Sequence, residues 1–259
     1  MRQPMRRTVF LLSLALCAAS LASAQVKPVR IILVGDSTVA PKNGWGPGFC
    51  ADVAPEVTCI NMAKNGRSTR SYRAEGSWKE VLDALQRNSE FSATWVFVQF
   101  GHNDQPGKPS PSDPATEFLA NMRQYAQEVR ATGARAVLLT PLTRRTFQDS
   151  KLNDTLGPWA TATKKAAEVE KVPVLDLNTD SAAAVQKMGP AEANTLAMAP
   201  PPQAVIDAAL KGNTITVPAN PPTTFDYTHL GDKGSEYFGR MVAEEVLKAI
   251  PELRPYIKR

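Results

Sequence analysis

The amino-acid sequence predicts one α/β domain built around a parallel sheet of five strands with helices on both faces. Five short runs of apolar and β-branched residues are typical of strands buried in such a sheet. They occupy residues 29–34, 57–61, 95–100, 134–140 and 172–177. The length of 259 residues, with 43% hydrophobic and 21% charged residues, is that of an ordinary globular chain.

Segments with helical periodicity lie between these runs, and this alternation favours parallel pairing of the strands. In one segment Phe118, Met122, Tyr125 and Val129 recur at intervals of three or four residues, which is typical of a helix with one buried face. The predicted helices span residues 78–88, 114–132, 158–170 and 233–250.

Residues 189–225, the proline-rich segment, interrupt the pattern with clustered prolines. One short helix is predicted within it, over residues 203–210. A long irregular segment of this kind in a compact domain is usually functional or mobile. The chain shows no internal repeat and no linker, so we expect one domain over residues 25–259 that includes this segment.

Residues 1–24 have the organisation of a signal peptide. Three arginines and no acid precede an apolar run at residues 9–16, and small residues end at Ala24. We expect cleavage after Ala24 and export, without stable membrane insertion, because the run is too short to cross a core of about 30 Å as a helix. Lipidation of Cys17 is an alternative that the bulky Leu16 disfavours.

The composition excludes several classes of function. The net charge of +5 falls to +2 without the leader, since 27 bases then face 25 acids, and this small excess does not suggest a nucleic-acid partner. The sequence has only two histidines and three cysteines, which are few candidate ligands for a His/Cys metal site, so we expect neither a metal nor another cofactor. Any histidine-dependent chemistry must use His102 or His229.

Cys50 and Cys59 are the cysteines that remain after removal of the leader. In an oxidising compartment they can pair and close a short loop, which would stabilise the fold by roughly 2–3 kcal/mol. We favour this disulfide. Two buried free thiols are the alternative, since the sequence does not show whether the two Cα atoms lie close together.

A candidate nucleophile follows the first apolar run. The sequence Gly-Asp-Ser-Thr at residues 35–38 comes directly after it, and ligands of parallel α/β sheets bind at the carboxyl ends of the strands. Ser37 would lie at that edge. Its alternative role is that of a turn or helix-capping residue.

The second and third runs lead to polar loops at the same predicted edge. Gly66 follows the second run and would let a backbone N–H approach a reacting atom closely. Asn103 follows the third run, and its side-chain amide can donate to an oxyanion. Each residue is also an ordinary turn former.

Asp226 and His229 lie just before the last predicted helix. A histidine base needs a carboxylate on its other ring nitrogen, and a spacing of three residues on a turn can place both side chains together. A surface pair that caps the helix is the alternative. His102 is a second candidate base, but Asp104, two residues away at a strand end, would point elsewhere.

Together these four segments resemble the SGNH, or GDSL-like, hydrolase family, whose conserved blocks supply serine, glycine, asparagine and histidine. The resemblance implies a catalytic triad of Ser37, Asp226 and His229. It also implies an oxyanion hole made by the backbone N–H groups of Ser37 and Gly66 and the amide of Asn103. The implied fold is a flavodoxin-like three-layer α/β/α sandwich. No Gly-x-Ser-x-Gly surrounds Ser37, which argues against the ordinary α/β-hydrolase arrangement.

Within that superfamily the sequence looks like the rhamnogalacturonan acetylesterases. The similar motifs are Gly-Asp-Ser-Thr at 35–38, Ala-Lys-Asn-Gly-Arg-Ser-Thr-Arg-Ser at 63–71, Phe-Gly-His-Asn-Asp at 100–104 and Thr-Pro-Leu-Thr-Arg-Arg-Thr-Phe at 140–147. The resemblance implies an exported serine esterase that removes acetyl groups from a pectic polysaccharide through an acetyl-enzyme. The proline-rich segment does not align with this pattern.

Arginines in or beside the motif loops are candidates for binding the carboxylates of a galacturonate-containing chain. They are Arg67, Arg70, Arg73, Arg144 and Arg145, and solvated surface charge is their alternative role. Three tryptophans are candidates for stacking on sugars or, by default, for the core: Trp45, Trp78 and Trp159.

Two other functions remain open at this stage. An exported esterase of the same superfamily that acts on acetylated xylan or lipid esters would share every catalytic residue. A non-catalytic carbohydrate-binding module is the alternative from another class, but it does not need Ser37 together with Asp226 and His229.

Overall fold

The computed structural model describes residues 27–217 and 224–258, so the predicted signal peptide and Cys17 lie outside it. A five-stranded parallel sheet has the spatial order β2-β1-β3-β4-β7, and β5 and β6 form a separate antiparallel hairpin. This is the flavodoxin-like order, with the chain crossing over once after the second strand. The strands are β1 (Val29–Gly35), β2 (Val57–Asn61), β3 (Ala93–Gln99), β4 (Arg135–Leu139), β5 (Phe147–Gln148), β6 (Lys151–Leu152) and β7 (Val174–Leu175).

Helices cover both faces of this sheet. They are α1 (Gly46–Ala51), α2 (Ser71–Ala74), α3 (Ser77–Leu85), α4 (Leu119–Ala131), α5 (Gly157–Glu170), α6 (Leu177–Asn194), α7 (Gln203–Ala209) and α8 (Asp232–Ala249). A π-helical turn at Pro114–Phe118 leads into α4, and 3₁₀ turns lie at Asn88–Glu90 and Pro251–Tyr256.

The core lies in two layers because successive side chains of a strand point to opposite faces. Ile31 and Leu33 of β1 pack with α1, α6 and α8 on one face, whereas Ile32 and Val34 pack with α3, α4 and α5 on the other. All four side chains are fully buried. The predicted three-layer α/β/α sandwich is therefore confirmed.

Helix α6 was not predicted. Its sequence is rich in alanine and short polar residues and lacks a clear apolar stripe. The backbone at Gly189 has φ 69° and ψ 172°, which kinks the helix before Pro190. That kink marks the point at which the sequence pattern failed.

The proline-rich segment is anchored to the domain over its described part. Its predicted short helix is confirmed as α7. The N–H of Thr214 donates to the carbonyl of Phe147 in β5 at 3.0 Å, and the N–H of Ser150 donates to the carbonyl of Gly212 at 2.7 Å. These bonds hold residues 212–214 against the β5–β6 hairpin.

Cys50 of α1 and Cys59 of β2 form a disulfide with their Cα atoms 5.7 Å apart, as predicted. The three candidate tryptophans are all buried: Trp45 at 1%, Trp78 at 3% and Trp159 at 6% exposure. The default interpretation, that they belong to the core, is therefore confirmed, and the alternative of sugar stacking is not. In the described part of the chain, no helix is both long and apolar enough to cross a membrane.

Candidate active site

One cleft of about 330 Å³ at the carboxyl edge of the sheet brings the predicted catalytic residues together. The loops after β1, β2 and β3 end at this edge, and the loop before α8 closes over it. The cleft is lined by Ser37, Asn43, Asn65, Gly66, His102, Asn103, Lys108, Arg144, Asp226, Thr228 and His229.

Ser37 is held at the end of β1 by a tight turn. One carboxylate oxygen of Asp36 accepts hydrogen bonds from the N–H of Thr38 at 2.9 Å and from its hydroxyl at 2.7 Å. A Cβ on Gly35 would come within 2.5 Å of the carbonyl oxygen of Gln99, so only glycine lets β1 and β3 approach this closely. Ser37 is 5% exposed and its side chain lines the cleft.

The turn before α8 pairs Asp226 with His229. The Nδ1 of His229 lies 2.6 Å from Oδ2 of Asp226, and the backbone N–H groups of Thr228 and His229 each donate to Oδ1 of Asp226 at 2.7 Å. Burial opposes ionisation of Asp226, but these hydrogen bonds and the histidine charge outweigh it and lower the pKa of Asp226 to about 2. The carboxylate is thus ionised and fixes the orientation of the imidazole.

Arg145 stabilises this turn from the protein interior. Its Nη2 donates to the backbone carbonyls of Asp226 and His229 at 2.9 Å, and its Nη1 donates to that of Thr228 at 3.3 Å. The side chain is fully buried. Burial, against the opposing charge of Asp226, lowers the pKa of Arg145 to about 10, so the group stays protonated at neutral pH. The prediction that Arg145 binds substrate is therefore wrong, because the guanidinium does not reach the cleft.

The predicted oxyanion donors Gly66 and Asn103 lie on two neighbouring loops. Gly66 has φ +76°, a left-handed conformation that disfavours any residue with a side chain, and it exposes its backbone to the cleft. The amide nitrogen of Asn103 donates to the backbone carbonyl of Arg67 at 3.2 Å. This bond ties the loops together and leaves the second N–H of the Asn103 amide for a ligand.

His102 forms a second, different contact with an aspartate. Its Nδ1 lies 3.5 Å from Oδ2 of Asp36, and within the described residues neither ring nitrogen has a hydrogen-bond partner. Burial lowers the pKa of His102 despite the nearby Asp36 carboxylate. Asp104 points away from His102, as expected, and accepts hydrogen bonds from the N–H and hydroxyl of Thr69.

Of the predicted substrate-binding arginines, only Arg144 lines the cleft in the described part of the protein. Arg67 forms an ion pair with Glu75 at 2.6 Å, and Arg73 forms one with Glu128 at 2.9 Å. Arg70 is exposed and donates to the carbonyl of Pro111 at 3.2 Å. Arg67 and Arg70 thus make contacts within the protein and do not line this cleft.

Sequence reasoning missed several features of the site. The contact between His102 and Asp36 joins residues that are far apart in the chain. The sequence also did not indicate that Arg145 points inward, because it is adjacent to Arg144 and chemically identical to it. Lys108 lines the cleft from the loop after Asn103, and its only sequence signal was that nearness.

A serine and an Asp–His pair in one cleft, at the carboxyl edge of a flavodoxin-like sheet, are typical of serine hydrolases. The sequence profile of the GDSL-like Lipase/Acylhydrolase family matches residues 33–236. The chain belongs to this family, as the four sequence blocks predicted.

Similar proteins of known name are esterases. Rhamnogalacturonan acetylesterase RhgT of Bacillus subtilis (strain 168) is 31% identical over 228 residues, which cover 85% of this chain and 90% of that protein. Probable rhamnogalacturonan acetylesterase YesY of the same strain is 28% identical over 225 residues, with coverage of 84% and 92%. Together with the family match, these relatives support an esterase.

A solved structure supports the fold. Protein YxiM of Bacillus subtilis superposes with a TM-score of 0.61 at 23% identity, over 86% of this chain and 57% of that chain. This chain thus spans a little more than half of that structure.

Proposed function

We propose that this protein is an exported serine esterase that removes acetyl groups from a pectic polysaccharide of the rhamnogalacturonan type. The observation that carries the proposal is the 2.6 Å contact between His229 and Asp226 in the same cleft as Ser37 and Asn103. The similarity to RhgT and YesY supports the choice of substrate. The leader at residues 1–24 supports export.

The first half of the reaction forms the acetyl-enzyme. Serine is a weak nucleophile because its hydroxyl keeps its proton at neutral pH, so His229 takes the proton as Oγ of Ser37 attacks the ester carbonyl. Asp226 holds the imidazole in the required tautomer and stabilises the imidazolium that forms. The imidazolium then gives its proton to the sugar hydroxyl as the C–O bond to the sugar breaks.

The oxyanion of each tetrahedral intermediate receives hydrogen bonds from the N–H groups of Ser37 and Gly66 and the amide of Asn103. A donor of this kind lowers the barrier by roughly 3–4 kcal/mol. In the second half, His229 activates a water molecule that attacks the acetyl carbonyl, and acetate leaves as Ser37 recovers its proton. Every step uses side chains and backbone groups of this chain.

Acetate release from a panel of substrates tests the proposal. We expect release from acetylated rhamnogalacturonan to exceed release from acetylated xylan and from long-chain esters, and Ser37→Ala to abolish it. Ser92→Ala is the matched control, because Ser92 is an exposed serine remote from the cleft whose hydroxyl donates to the carbonyl of Pro28. Activity of Ser37→Ala within tenfold of the parent would refute the nucleophile.

The same panel separates the alternatives. Preference for xylan or lipid esters would assign the esterase to another substrate. Polysaccharide binding without acetate release would indicate a binding module. The mass of the mature N-terminus tests export, with cleavage after Ala24 expected.

A further inference from the structure

A second cleft of about 610 Å³ adjoins the catalytic cleft, and the proposed mechanism does not use it. Its volume is in the range of roughly 300–1,000 Å³ that is typical of small-molecule sites. Arg144 lines both clefts and thus forms part of the wall between them. The other lining residues are Gln105, Pro106, Thr146, Asn153, Thr155, Thr214, Ile215, Thr216, Val217 and Tyr227.

Neutral groups hold the guanidinium of Arg144 in place. Its Nη1 donates to the side-chain oxygens of Gln105 at 2.6 Å and Thr155 at 3.0 Å, and its Nε donates to the hydroxyl of Thr228 at 3.2 Å. Among the residues that the structure describes, no carboxylate oxygen lies within 4 Å of it. Arg67 and Arg73, by contrast, are each paired with a glutamate. Arg144 is therefore a fixed cation that keeps donor capacity for a ligand.

The remaining chemistry of the second cleft suits a sugar. Hydroxyl and amide side chains can hydrogen-bond to sugar hydroxyls, while Ile215, Val217 and the ring of Tyr227 can contact the apolar edges of a pyranose. Arg144 is the only charged side chain among the described residues that line the cleft. A cation among neutral polar groups favours a ligand that carries one negative charge on an otherwise neutral ring.

The proline-rich segment supplies one wall of this cleft through Thr214, Ile215, Thr216 and Val217. The Thr214 hydroxyl accepts from the N–H of Phe147 at 3.1 Å. The N–H of Ile215 donates to the hydroxyl of Tyr227, which lies within the Asp226–His229 turn, at 3.3 Å. These bonds fix the wall relative to both the hairpin and the catalytic turn.

We propose that the second cleft binds a uronate residue of the polysaccharide near the bound acetyl group, with its carboxylate on Arg144. The inference rests on the proposed function and extends it, since it makes the charge of the sugar in this cleft a determinant of substrate choice. Of the arginines in the motif loops, it assigns this task to Arg144 alone.

Chemical reduction of the carboxyl groups provides the test, because it removes the charge of each uronate and leaves the ring and the acetyl groups in place. We expect kcat/KM to be at least tenfold higher for acetylated rhamnogalacturonan oligosaccharides than for the same oligosaccharides after reduction. Arg144→Gln should abolish this preference, chiefly by raising KM for the charged substrate, and Arg144→Lys should retain part of it. Arg87→Gln, the matched control at an exposed arginine remote from both clefts, should keep it.

A second pair of variants changes the charge of the cleft at another point. Thr216 is exposed and lines the cleft. Thr216→Asp should raise KM for the charged oligosaccharides several-fold more than for the reduced ones. Thr216→Asn should leave the ratio of the two KM values as it is in the parent enzyme.

The proposal is overturned if the parent enzyme does not discriminate between the two substrates, or if Arg144→Gln still prefers the charged one. It is also overturned if Arg144→Gln lowers kcat/KM equally for the charged oligosaccharides, the reduced oligosaccharides and p-nitrophenyl acetate. In that case Arg144 would only position Thr228.

Calorimetry on Ser37→Ala separates this inference from the proposed function. We expect deacetylated rhamnogalacturonan oligosaccharides to bind to Ser37→Ala at least tenfold more tightly than to Ser37→Ala/Arg144→Gln. If acetate release fails on every polysaccharide while this difference persists, the function is wrong and the uronate site stands. If acetate is released and the two variants bind equally, the uronate site alone is wrong.

Discussion

Two aspartate–histidine pairs lie at the same edge of the sheet, and they differ in exposure, in sequence spacing and in the distance between carboxylate and imidazole. His229 and Asp226 are partly exposed, lie three residues apart on one turn and share a 2.6 Å hydrogen bond. His102 and Asp36 are buried, lie in the loops after two different strands and are 3.5 Å apart. The first pair can gain and release a proton in contact with solvent and ligand. In the second pair, burial penalises the protonated imidazole.

The comparison indicates that nearness to a carboxylate is not by itself enough to make a histidine a base. The charge that forms on the histidine during proton transfer must be stabilised, and a short, aligned hydrogen bond does this where a 3.5 Å contact does not. The buried pair instead joins the loops that carry Ser37 and Asn103, because Asp36 and His102 directly precede those residues. Its position indicates a structural task.

Replacing each histidine gives the largest expected difference. His229→Ala should lower kcat by roughly 10²–10⁴-fold, because the proposed general base is lost. His102→Ala should lose less than about tenfold in kcat. Initial rates on a small acetyl ester at pH 7.5 measure both, and the reverse result would make His102 the base.

Asn103→Ala tests whether the loop after His102 acts in the reaction. Loss of an oxyanion donor should lower kcat by about 10²–10³-fold with little change in KM, equally for a small ester and for polysaccharide. Asn121→Ala is the control, since the Asn121 amide donates to the Thr69 hydroxyl at 3.0 Å and does not line the cleft. If Asn103→Ala instead lowered the Tm and raised KM, the amide would serve only to tie the loops.

Arg145→Gln tests how far the Asp226–His229 pair depends on the buried guanidinium beneath it. Three backbone carbonyls lose a charged donor, so the free energy of unfolding should fall by about 3 kcal/mol. Displacement of His229 should lower kcat for small and large esters alike, with KM unchanged, and Arg145→Lys should recover part of kcat. Denaturant unfolding together with steady-state kinetics measures this, and an unchanged kcat in the Gln variant would restrict Arg145 to folding.

The smallest expected difference between the two pairs is in how the free energy of unfolding depends on acid pH. Asp226 has its pKa lowered to about 2 in the folded protein, below the value of roughly 3.9 expected when unfolded. Its contribution is therefore fully present above pH 4 and is lost as the pH falls from about 4 to 2. Since Asp226 is partly exposed, we expect about 1 kcal/mol, which Asp226→Asn should remove in urea titrations.

The buried pair should act in a different pH window. Because burial lowers the pKa of His102, the unfolded chain binds more protons once the pH drops below about 6.5, and stability declines there. His102→Gln should reduce the difference in stability between pH 7.5 and pH 5. An identical pH dependence in the variant would show that His102 does not resist protonation in the folded state.

Much of the fold was predictable because buried parallel strands must be apolar on both faces. The apolar runs around Val29, Val96 and Val137 therefore indicated their strands directly. Helix α6 escaped prediction because its residues are mostly small and polar, and its burial comes from packing against α8 and β6. The hydrophobic pattern of the local sequence cannot predict such a helix.

The sequence by itself determined the catalytic candidates. Ser37 and Asn103 follow apolar runs that must end at one sheet edge, and the three-residue spacing of Asp226 and His229 places both on one turn. Only the tertiary structure separated Arg144 from Arg145. They are adjacent and chemically identical, and in an extended segment neighbouring side chains point to opposite sides. Arg145 points to the side where the Asp226–His229 turn packs, and Arg144 therefore points to the cleft. That turn lies more than eighty residues further along the chain, so the local sequence does not indicate which arginine it contacts.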